Sequence, residues 1–415
     1  MAVLAETAPA QAAPAKLWQN RTFLSIWIGH TISIIGDGFH SVALGLWILQ
    51  TTGSSTAMAA IMAVRALTGV LLGAVAGTVV DRTDRRRMMI AMDAVRFVLV
   101  LLVAAMVARQ GTSFLLVALV SGLISVAGQF FSPAMTASLV NIVGKEHLGQ
   151  ASGFLQMTNT LAQVIGPFIG GTVVALWGGW AAMTIDAVSF LVSVAFILLG
   201  GAFASPRIEK ETRSFWGDFK DGIRFIRGHS LSRNVVAFAP LTNFFGNALG
   251  GVLLPVIVVK VWNASPFQFG MAESAFPLGF AIGAGLFMAF ASKLKRRGYW
   301  MFGTLLMASA LMTVVPLMPS VNPAIPLYVL GGIFLAFPNV FFMVTMQAEV
   351  PTEVQGRVFG TMGSLLSAAA PLAFMVAGPL ADIFTPVSVA LVFGLGLVGT
   401  CVAGLFLAPA LRDYK

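Results

Sequence analysis

The fold is decided by the stretch Gly73-Ala-Val-Ala-Gly77-Thr-Val-Val-Asp81-Arg82-Thr83-Asp84-Arg85-Arg86-Arg87, where one long apolar segment ends and the next begins. Because such a cationic turn cannot lie in hydrocarbon, it predicts a turn between two membrane-spanning helices, on the cytoplasmic side by the positive-inside rule. The turn is short, which predicts antiparallel neighbours. Gly73 and Gly77 lie on one helical face and predict the close approach of another helix. A simple stop-transfer charge cluster would give a similar pattern.

The composition predicts an all-α integral membrane protein. Of 415 residues, 58% are hydrophobic and 10% charged, which suits a bundle of spanning helices and exceeds what a globular core needs. The basic residues behind the net charge of +9 fall in short turns between apolar runs. They therefore indicate the orientation of the chain in the membrane, and no nucleic-acid partner is expected. The lone Cys401 lies in the last apolar run, so neither a disulfide framework nor a cysteine metal site is expected.

Hydropathy predicts twelve spans, each of roughly 20 to 28 residues. Their approximate limits are 22–50, 56–80, 88–108, 113–138, 148–176, 180–203, 233–259, 267–291, 299–318, 324–347, 354–381 and 385–409. Basic residues concentrate in the even-numbered turns, whereas the odd-numbered turns hold only Arg109 and Lys260. This asymmetry predicts that both termini are cytoplasmic.

The longest connection divides the chain into two halves. The predicted organisation is a disordered cytoplasmic tail, a first six-helix bundle, a cytoplasmic linker, a second six-helix bundle and a short tail, at residues 1–20, 21–203, 204–232, 233–410 and 411–415. The first tail lacks the pattern of a cleaved signal peptide. Within the linker, Phe215, Phe219, Ile223 and Ile226 recur at helical spacing. They predict an amphipathic helix on the membrane face or over the bundle, although a simple tether would also satisfy the sequence.

The two halves repeat each other at an offset of about 204 to 211 residues, which predicts parallel six-helix repeats and a substrate site near midplane between them. The matched pairs are Gly36-Asp37 with Gly246-Asn247, Asp81–Arg86 with Ser292–Arg297, Phe131-Ser-Pro133 with Phe337-Pro338, and Gly166-Pro167 with Ala370-Pro371.

The charged turn resembles the loop between helices 2 and 3 of the major facilitator superfamily, of the type G-x-x-x-D-R-x-G-R-R, except that Asp84 stands where the family usually has glycine. The resemblance implies that Asp81 docks on the amino terminus of the eleventh span, near Glu353 to Arg357, where free amides favour an anion. Asp93 and Arg96, three residues apart, are expected to lock this loop. The implied inner-gate residues are Gly73, Gly77, Asp81, Arg82, Arg85, Arg86, Asp93, Arg96 and Arg357.

Charge inside an apolar run costs about 2.5–3.5 kcal/mol at midplane, so Asp37, about halfway along the first span, is a functional candidate. Burial disfavours the charged form of an isolated carboxylate, and such a group can couple transport to a pH gradient. Trp27-Ile-Gly29-His30-x-Ile-Ser33-x-x-Gly36-Asp37 resembles the first helix of bacterial macrolide-efflux and siderophore-export members. Asp37 is therefore the predicted proton-coupling residue, and a helix-packing carboxylate is the alternative.

The fifth span contains Gly166-Pro167-Phe-Ile-Gly170-Gly171, which resembles the G-P-x-x-G-G signature of antiporters and predicts a hinge that packs against its partner in the other half. An earlier glycine of that signature is Ala162 here. The fourth span also departs from proton-coupled drug exporters, because it contains Gln129 and no arginine.

Arg65, Asp186 and Glu273 lie in the outer parts of spans 2, 6 and 8. They predict an outer gate or an Arg65–Glu273 charge pair, with snorkelling towards the headgroups as the alternative. Further polar residues among Phe and Met predict an apolar substrate cleft with a few hydrogen-bonding points. These cleft candidates are Gln129, Gln156, Asn159, Gln163, Asn243, Asn247, Asn339 and Gln347.

Neither a catalytic constellation nor a phosphate-binding loop is present in the sequence, so an enzyme, a cofactor and a metal are not expected. The resemblance implies a monomeric transporter of the bacterial inner membrane that exports amphiphilic small molecules of the drug or macrolide type by alternating access and proton antiport. A siderophore or metabolite exporter of the same fold, a lipid flippase and a non-transporting receptor are the alternatives.

Overall fold

The computed structural model describes residues 17–109, 111–203, 215–290 and 296–414, so residues 1–16 of the predicted tail and residues 204–214 of the predicted linker lie outside the described part. Every regular element in these ranges is helical. A 3-10 turn at Leu17–Gln19 precedes thirteen helices in the described ranges: α1 Arg21–Thr52, α2 Ser55–Arg82, α3 Arg85–Ala108, α4 Phe114–Trp177, α5 Gly179–Leu199, α6 Phe215–Gly228, α7 Ser230–Val261, α8 Pro266–Phe290, α9 Arg297–Leu317, α10 Val321–Glu349, α11 Thr352–Ile383, α12 Pro386–Leu407 and α13 Pro409–Arg412.

The predicted twelve-helix membrane fold is confirmed. Eleven helices in the described residues are long and apolar enough to cross a membrane, and α4 holds two spans because it is 64 residues long and breaks at Gly144. Gly144 has φ 73° and ψ 169°, a conformation that glycine adopts without a steric penalty. The turn predicted at 139–147 is therefore reduced to this one residue, between the spans 114–143 and 145–177.

The spans form two sets of six, within residues 21–199 and 230–407, and each set packs mainly against itself. Two seams join the sets: the second span of α4 lies along α8, and α2 lies along α11. We call the end of the bundle that holds the turn after Arg82 the near end. The opposite end, which holds the turn after Thr52, is the far end.

The seams are tight at the far end. A Cβ added to Gly270 of α8 would lie 2.9 Å from the Cα of Gly171 in α4, and one added to Gly378 of α11 would lie 3.1 Å from the Cα of Thr56 in α2. At the near end, residues 352–367 of α11 pack instead against α6 and α7. The halves therefore meet at the far end and separate towards the near end.

Helix α6 lies inside the segment predicted as the linker and covers the near end of α11. Ile226 is buried in one cluster with Val358 and Met362 of α11. Gly222 faces Arg357 and Thr361 so closely that a Cβ there would lie 2.8 Å from the Cβ of Thr361. The apolar face of α6 therefore packs on the second half.

Candidate functional site

Arg96 of α3 is the centre of a buried group of charges in the first half. Its Nη2 atom donates to both carboxylate oxygens of Asp37 in α1, at 2.7 and 2.9 Å. Its Nη1 atom lies 3.6 Å from Oδ1 of Asp93, and its guanidinium carbon lies 4.0 Å from the ring centroid of Phe190 in α5. The Arg96 side chain is only 10% exposed, so α1, α3 and α5 all contribute to its environment.

A second buried pair adjoins the first. Nδ1 of His40 in α1 lies 3.6 Å from Oδ2 of Asp186 in α5, and Asp186 is fully buried. The Ser189 hydroxyl donates to the backbone carbonyl of Asp186 at 2.7 Å. A Cβ on Gly36 would lie 2.7 Å from Oδ1 of Asp186, so a glycine is required where α1 crosses this pair. We call Asp37, His40, Asp93, Arg96 and Asp186 the charge cluster.

Two carboxylates of the cluster lack a full set of donors. Both oxygens of Asp93 and Oδ2 of Asp186 have no hydrogen-bond partner among the described residues, although all three atoms are buried. A buried ionised carboxylate without a donor is unfavourable, whereas a carboxylic acid in the same place costs less. In the described part of the chain, no group of three or more His, Cys, Asp and Glu residues is arranged to hold a metal ion.

The structure corrects four predictions about these charged residues. Asp37 is not isolated, because Arg96 binds it. Asp93 and Arg96 do not lock the charged turn; they face Asp37 and α5. Arg65 of α2 forms no ion pair with Glu273 in the described structure and is not among the residues that line the cavity of Glu273. Asp186, predicted for the outer gate, belongs to the cluster.

The charged turn is held within the first half. Nη2 of Arg85 lies 3.5 Å from Oδ1 of Asp81, and Nη1 of Arg85 donates to the carbonyl of Ala137 at 2.7 Å. Nη2 of Arg86 donates to the carbonyl of Leu198 at 3.2 Å. Asp84, the departure from the family pattern, caps α3 by accepting a hydrogen bond from the Arg87 amide at 2.9 Å. The turn is thus fixed to the spans that end beside it.

The predicted docking of Asp81 on α11 is absent from this conformation. Arg357, at the start of α11, pairs instead with α6: its Nε lies 3.3 Å from Oδ1 of Asp218 and its Nη1 lies 3.4 Å from Oδ2 of Asp221. The predicted close approach at Gly73 and Gly77 is also absent, since no described atom lies within 4 Å of a Cβ built on either residue. Arg82 is exposed.

The glycine motif of α4 faces two partners. A Cβ on Gly166 would lie 3.0 Å from the Cα of Gly38, and one on Gly170 would lie 2.9 Å from the Cα of Phe39; both contacts are with α1 of the same half. Three other residues of the motif face the second half: Gly171 meets Gly270, the carbonyl of Pro167 lies against Gly270, and the ring centroid of Phe168 lies 5.8 Å from that of Phe267. The motif therefore packs on both α1 and α8, and its predicted role as a hinge stays a prediction.

The second half contains a cavity of about 610 Å³, within the usual range for small-molecule sites. Its polar lining includes Glu273, which is half-buried, and three of the predicted cleft amides, Asn243, Asn247 and Asn339. The rest is largely apolar and rich in Phe and Met from α7, α8, α9 and α10, including Phe238, Phe276, Phe280, Met301, Phe302, Met312, Phe341, Phe342 and Met346.

The remaining predicted cleft residues are in the first half or at the near end. Gln156 and Gln163 are exposed on α4, and Asn159 between them has a buried Oδ1 without a partner among the described residues. Gln129 lies beside Gly69 of α2. The fifth, Gln347, is exposed near the end of α10, where its carbonyl accepts from the Gln355 side chain at 2.9 Å. These residues therefore do not form one site with the cavity amides in this conformation.

Two functional candidates were missed at the far end. The carboxylate of Asp382 in α11 accepts hydrogen bonds from the Ser54 hydroxyl at 2.7 Å and from the Ser55 and Thr56 amides at 2.7 and 2.9 Å. Lys260 of α7 lies 3.4 Å from Asp382 and 3.2 Å from the Ser55 hydroxyl oxygen. These five residues, the far-end clasp, join the two halves. The sequence contained a signal for this contact, because Lys260 is one of only two basic residues in the odd-numbered turns.

Comparison with known proteins places this geometry in context. Residues 26–365 match the family model of the Major Facilitator Superfamily. Macrolide efflux protein A of Streptococcus pyogenes is 22% identical over 363 residues, which cover 87% of this chain and 89% of that protein. The multidrug efflux pump Tap of Mycolicibacterium fortuitum is 28% identical over 389 residues, which cover 91% of this chain and 93% of that pump.

The fold also has solved counterparts. The crystal structure of a bacterial homologue of the iron transporter ferroportin, in its inward-facing state, superposes with a TM-score of 0.73 and covers 94% of this chain and 99% of that chain. The two sequences are only 14% identical, so the likeness concerns the fold.

Proposed function

The chain belongs to the major facilitator superfamily, a family of membrane transporters, and on that premise we propose that it exports amphiphilic small molecules of the drug and macrolide type in exchange for protons. The relatives named as macrolide and multidrug efflux proteins support the cargo class. The buried charge cluster of the first half is the observation that supports proton exchange, because charges inside a membrane protein mark ion and proton pathways.

We place the near end in the cytoplasm of a bacterial cell, with the protein in the inner membrane. The near end carries the arginines of the charged turn, Lys145 and the basic residues of α6, whereas the far end carries only Arg109 and Lys260. Positive residues favour the cytoplasmic side. On this orientation the structure is inward-facing: the clasp and the Gly171–Gly270 contact close the outside, and cargo enters from the cytoplasm.

The proposed proton route uses the carboxylates of the cluster. With the near end open, Asp37 is bound to Arg96. A proton that reaches the cluster from the outside protonates a carboxylate and weakens its attraction for Arg96. Asp93 and Asp186 are the further carriers, because their buried oxygens without a hydrogen bond among the described residues hold a proton at less cost than a charge. One charge moved through the membrane field is worth about 2.3 kcal/mol per 100 mV, which is useful driving force.

The charged turn is proposed as the inner latch of the outward-facing state. When the near end closes, Asp81 approaches the free amides at the start of α11, and Gly73 and Gly77 acquire their neighbours. Arg357 then has a third acid, Asp81, within reach besides Asp218 and Asp221 of α6. In the inward-facing state these α6 acids hold Arg357, which keeps the start of α11 occupied while the latch is open.

Everted membrane vesicles test the exchange. We expect uptake of ethidium and of labelled erythromycin to follow an imposed pH step in the parent. Asp37→Asn should retain substrate binding and exchange down the substrate gradient, and should lose uphill transport. Asp413→Asn is the matched control, because this acid is exposed beyond α12 and pairs with Arg412.

An Asp37→Asn protein that follows the pH step as the parent does would contradict the role of Asp37. Uptake that ignores the step in the parent would contradict antiport itself. Movement of labelled lipid without a gradient would favour the flippase, and siderophore uptake without drug uptake would favour the metabolite exporter.

A further inference from the structure

Glu273 is set apart from the other carboxylates of the spans. Asp37, Asp186 and Asp382 each have a basic partner on the protein, in Arg96, His40 and Lys260. Among the described residues, Glu273 has neither an ion pair nor a hydrogen bond, and the described residues that line its cavity include no Lys, Arg or His. Its site on α8 is seven residues from Pro266, about 10 Å along the helix axis. The carboxylate therefore faces the cavity without a protein cation.

The amide side chains of the cavity present acceptors. The NH2 group of Asn247 donates to the carbonyl of Asn243 at 2.7 Å, and that of Asn339 donates to the carbonyl of Leu335 at 3.0 Å. The NH2 group of Asn243 points to the carbonyl of Leu366 at 3.4 Å. Because each partner is a carbonyl oxygen, the amide nitrogen is the donor, and the Oδ1 atoms have no partner in the described structure. The cavity thus offers oxygen acceptors around one carboxylate.

The apolar lining suits the same kind of guest. Six phenylalanines and Tyr328 line the cavity, and aromatic faces attract cations because their quadrupole is negative over the ring. Methionines between them are polarisable and adapt to different shapes. Tyr328 and Glu273 line the same cavity. An anion would meet an unpaired carboxylate and would be repelled.

We propose that this cavity binds an amphiphilic monocation, with its charge beside Glu273 and its apolar body among the Phe and Met side chains. The proposal rests on the proposed export function only where it treats the bound molecule as cargo. Binding of the molecule to the cavity requires no gradient. It names a cargo class that excludes anionic siderophores from this cavity. The proposal also assigns different partners to the acids of the two halves. Basic residues of the protein neutralise the acids of the first half, and a cation on the cargo neutralises Glu273.

Equilibrium binding to purified protein tests the site with two probes of the same shape and opposite charge, tetraphenylphosphonium and tetraphenylborate. We expect the parent to prefer the cation. Glu273→Gln should weaken tetraphenylphosphonium by at least about tenfold, because one partner of a partly buried charge pair is lost. Glu273→Asp should restore most of this affinity. Glu349→Gln is the matched control, since this acid lies at the end of α10 outside the cavity and accepts from the Tyr414 hydroxyl at 2.9 Å.

Glu273→Lys provides the second variant. We expect it to reverse the preference in favour of tetraphenylborate, and the ratio of the two affinities is independent of the fraction of protein that is folded. Equal binding of both probes by the parent, or a ratio that Glu273→Lys leaves unchanged, would overturn the proposal. Failure of pH-driven transport with the preference intact would overturn the proposed antiport and leave this site standing.

Discussion

Gly270→Ala is expected to open the far end. The glycine lies in α8 where it crosses α4, and its new Cβ would be 2.9 Å from the Cα and 3.1 Å from the amide nitrogen of Gly171, and closer still to the carbonyl of Pro167. These neighbours are backbone atoms, so no side chain can rotate away. The seam between α4 and α8 must widen.

The expected size of the change in the ratio of closed to open protein follows from the cost of overpacking. Extra carbon in a well-packed contact typically costs about 1–3 kcal/mol. The contact joins the two halves only while the far end is closed, so the cost falls on that state. A shift of this size changes the ratio of closed to open protein by roughly 5- to 150-fold.

A cysteine reporter measures this ratio. Ser55 is a fully buried member of the far-end clasp, and Ser55→Cys changes one atom of its side chain while keeping the amide that donates to Asp382. We expect a polar maleimide to label this cysteine faster by the same factor when Gly270→Ala is present. The native Cys401 is buried in α12.

Gly285→Ala is the matched control. It makes the same change on the same helix, where nothing lies within 4 Å of the added Cβ. If both alanine variants label at the rate of the parent, the Gly171–Gly270 contact does not hold the far end closed.

Two further substitutions act at opposite ends of the molecule. Asp382→Asn removes the anion that accepts three hydrogen bonds from the start of α2, so it should raise Ser55→Cys labelling; an unchanged rate would contradict a role of the clasp in closure. Asp81→Asn should weaken the inner latch and raise the cytoplasmic labelling of Gln156→Cys on α4, and unchanged labelling together with unchanged transport would contradict the latch.

The sequence predicted the spans well because hydrophobicity and charge decide which segments can cross a membrane. The predicted fourth span ended too early and the predicted fifth span began too late, because Lys145, Glu146 and His147 mark a polar turn. Leu139 and Val143 are nevertheless buried within the helix, and Gly144 alone turns the chain. A left-handed glycine needs so little length that no hydropathy window resolves it.

The contacts of the charged residues could not be predicted in the same way. Asp37 and Arg96 are 59 positions apart, and their pairing depends on how α1 and α3 are rotated against each other. Arg65 and Glu273 occupy corresponding places in the repeats, which suggested a pair. However, α2 packs along α11 and α8 packs along α4, so the two residues lie on different seams. Internal symmetry predicts equivalent environments and does not predict contact.

The charge cluster and the far-end seam are linked through a few residues of α1. Gly36 lies against Asp186, Asp37 binds Arg96, and the next two residues, Gly38 and Phe39, pack on Gly166 and Gly170 of α4. Gly171 then meets Gly270 in the other half. Gly36 meets side-chain atoms of α5, whereas backbone meets backbone at the α1–α4 and α4–α8 contacts, so a shift of α1 against α4 would disturb the seam. In the proposed antiport, release of Asp37 from Arg96 would therefore act on the same few residues of α1 that pack against α4 near the far-end seam.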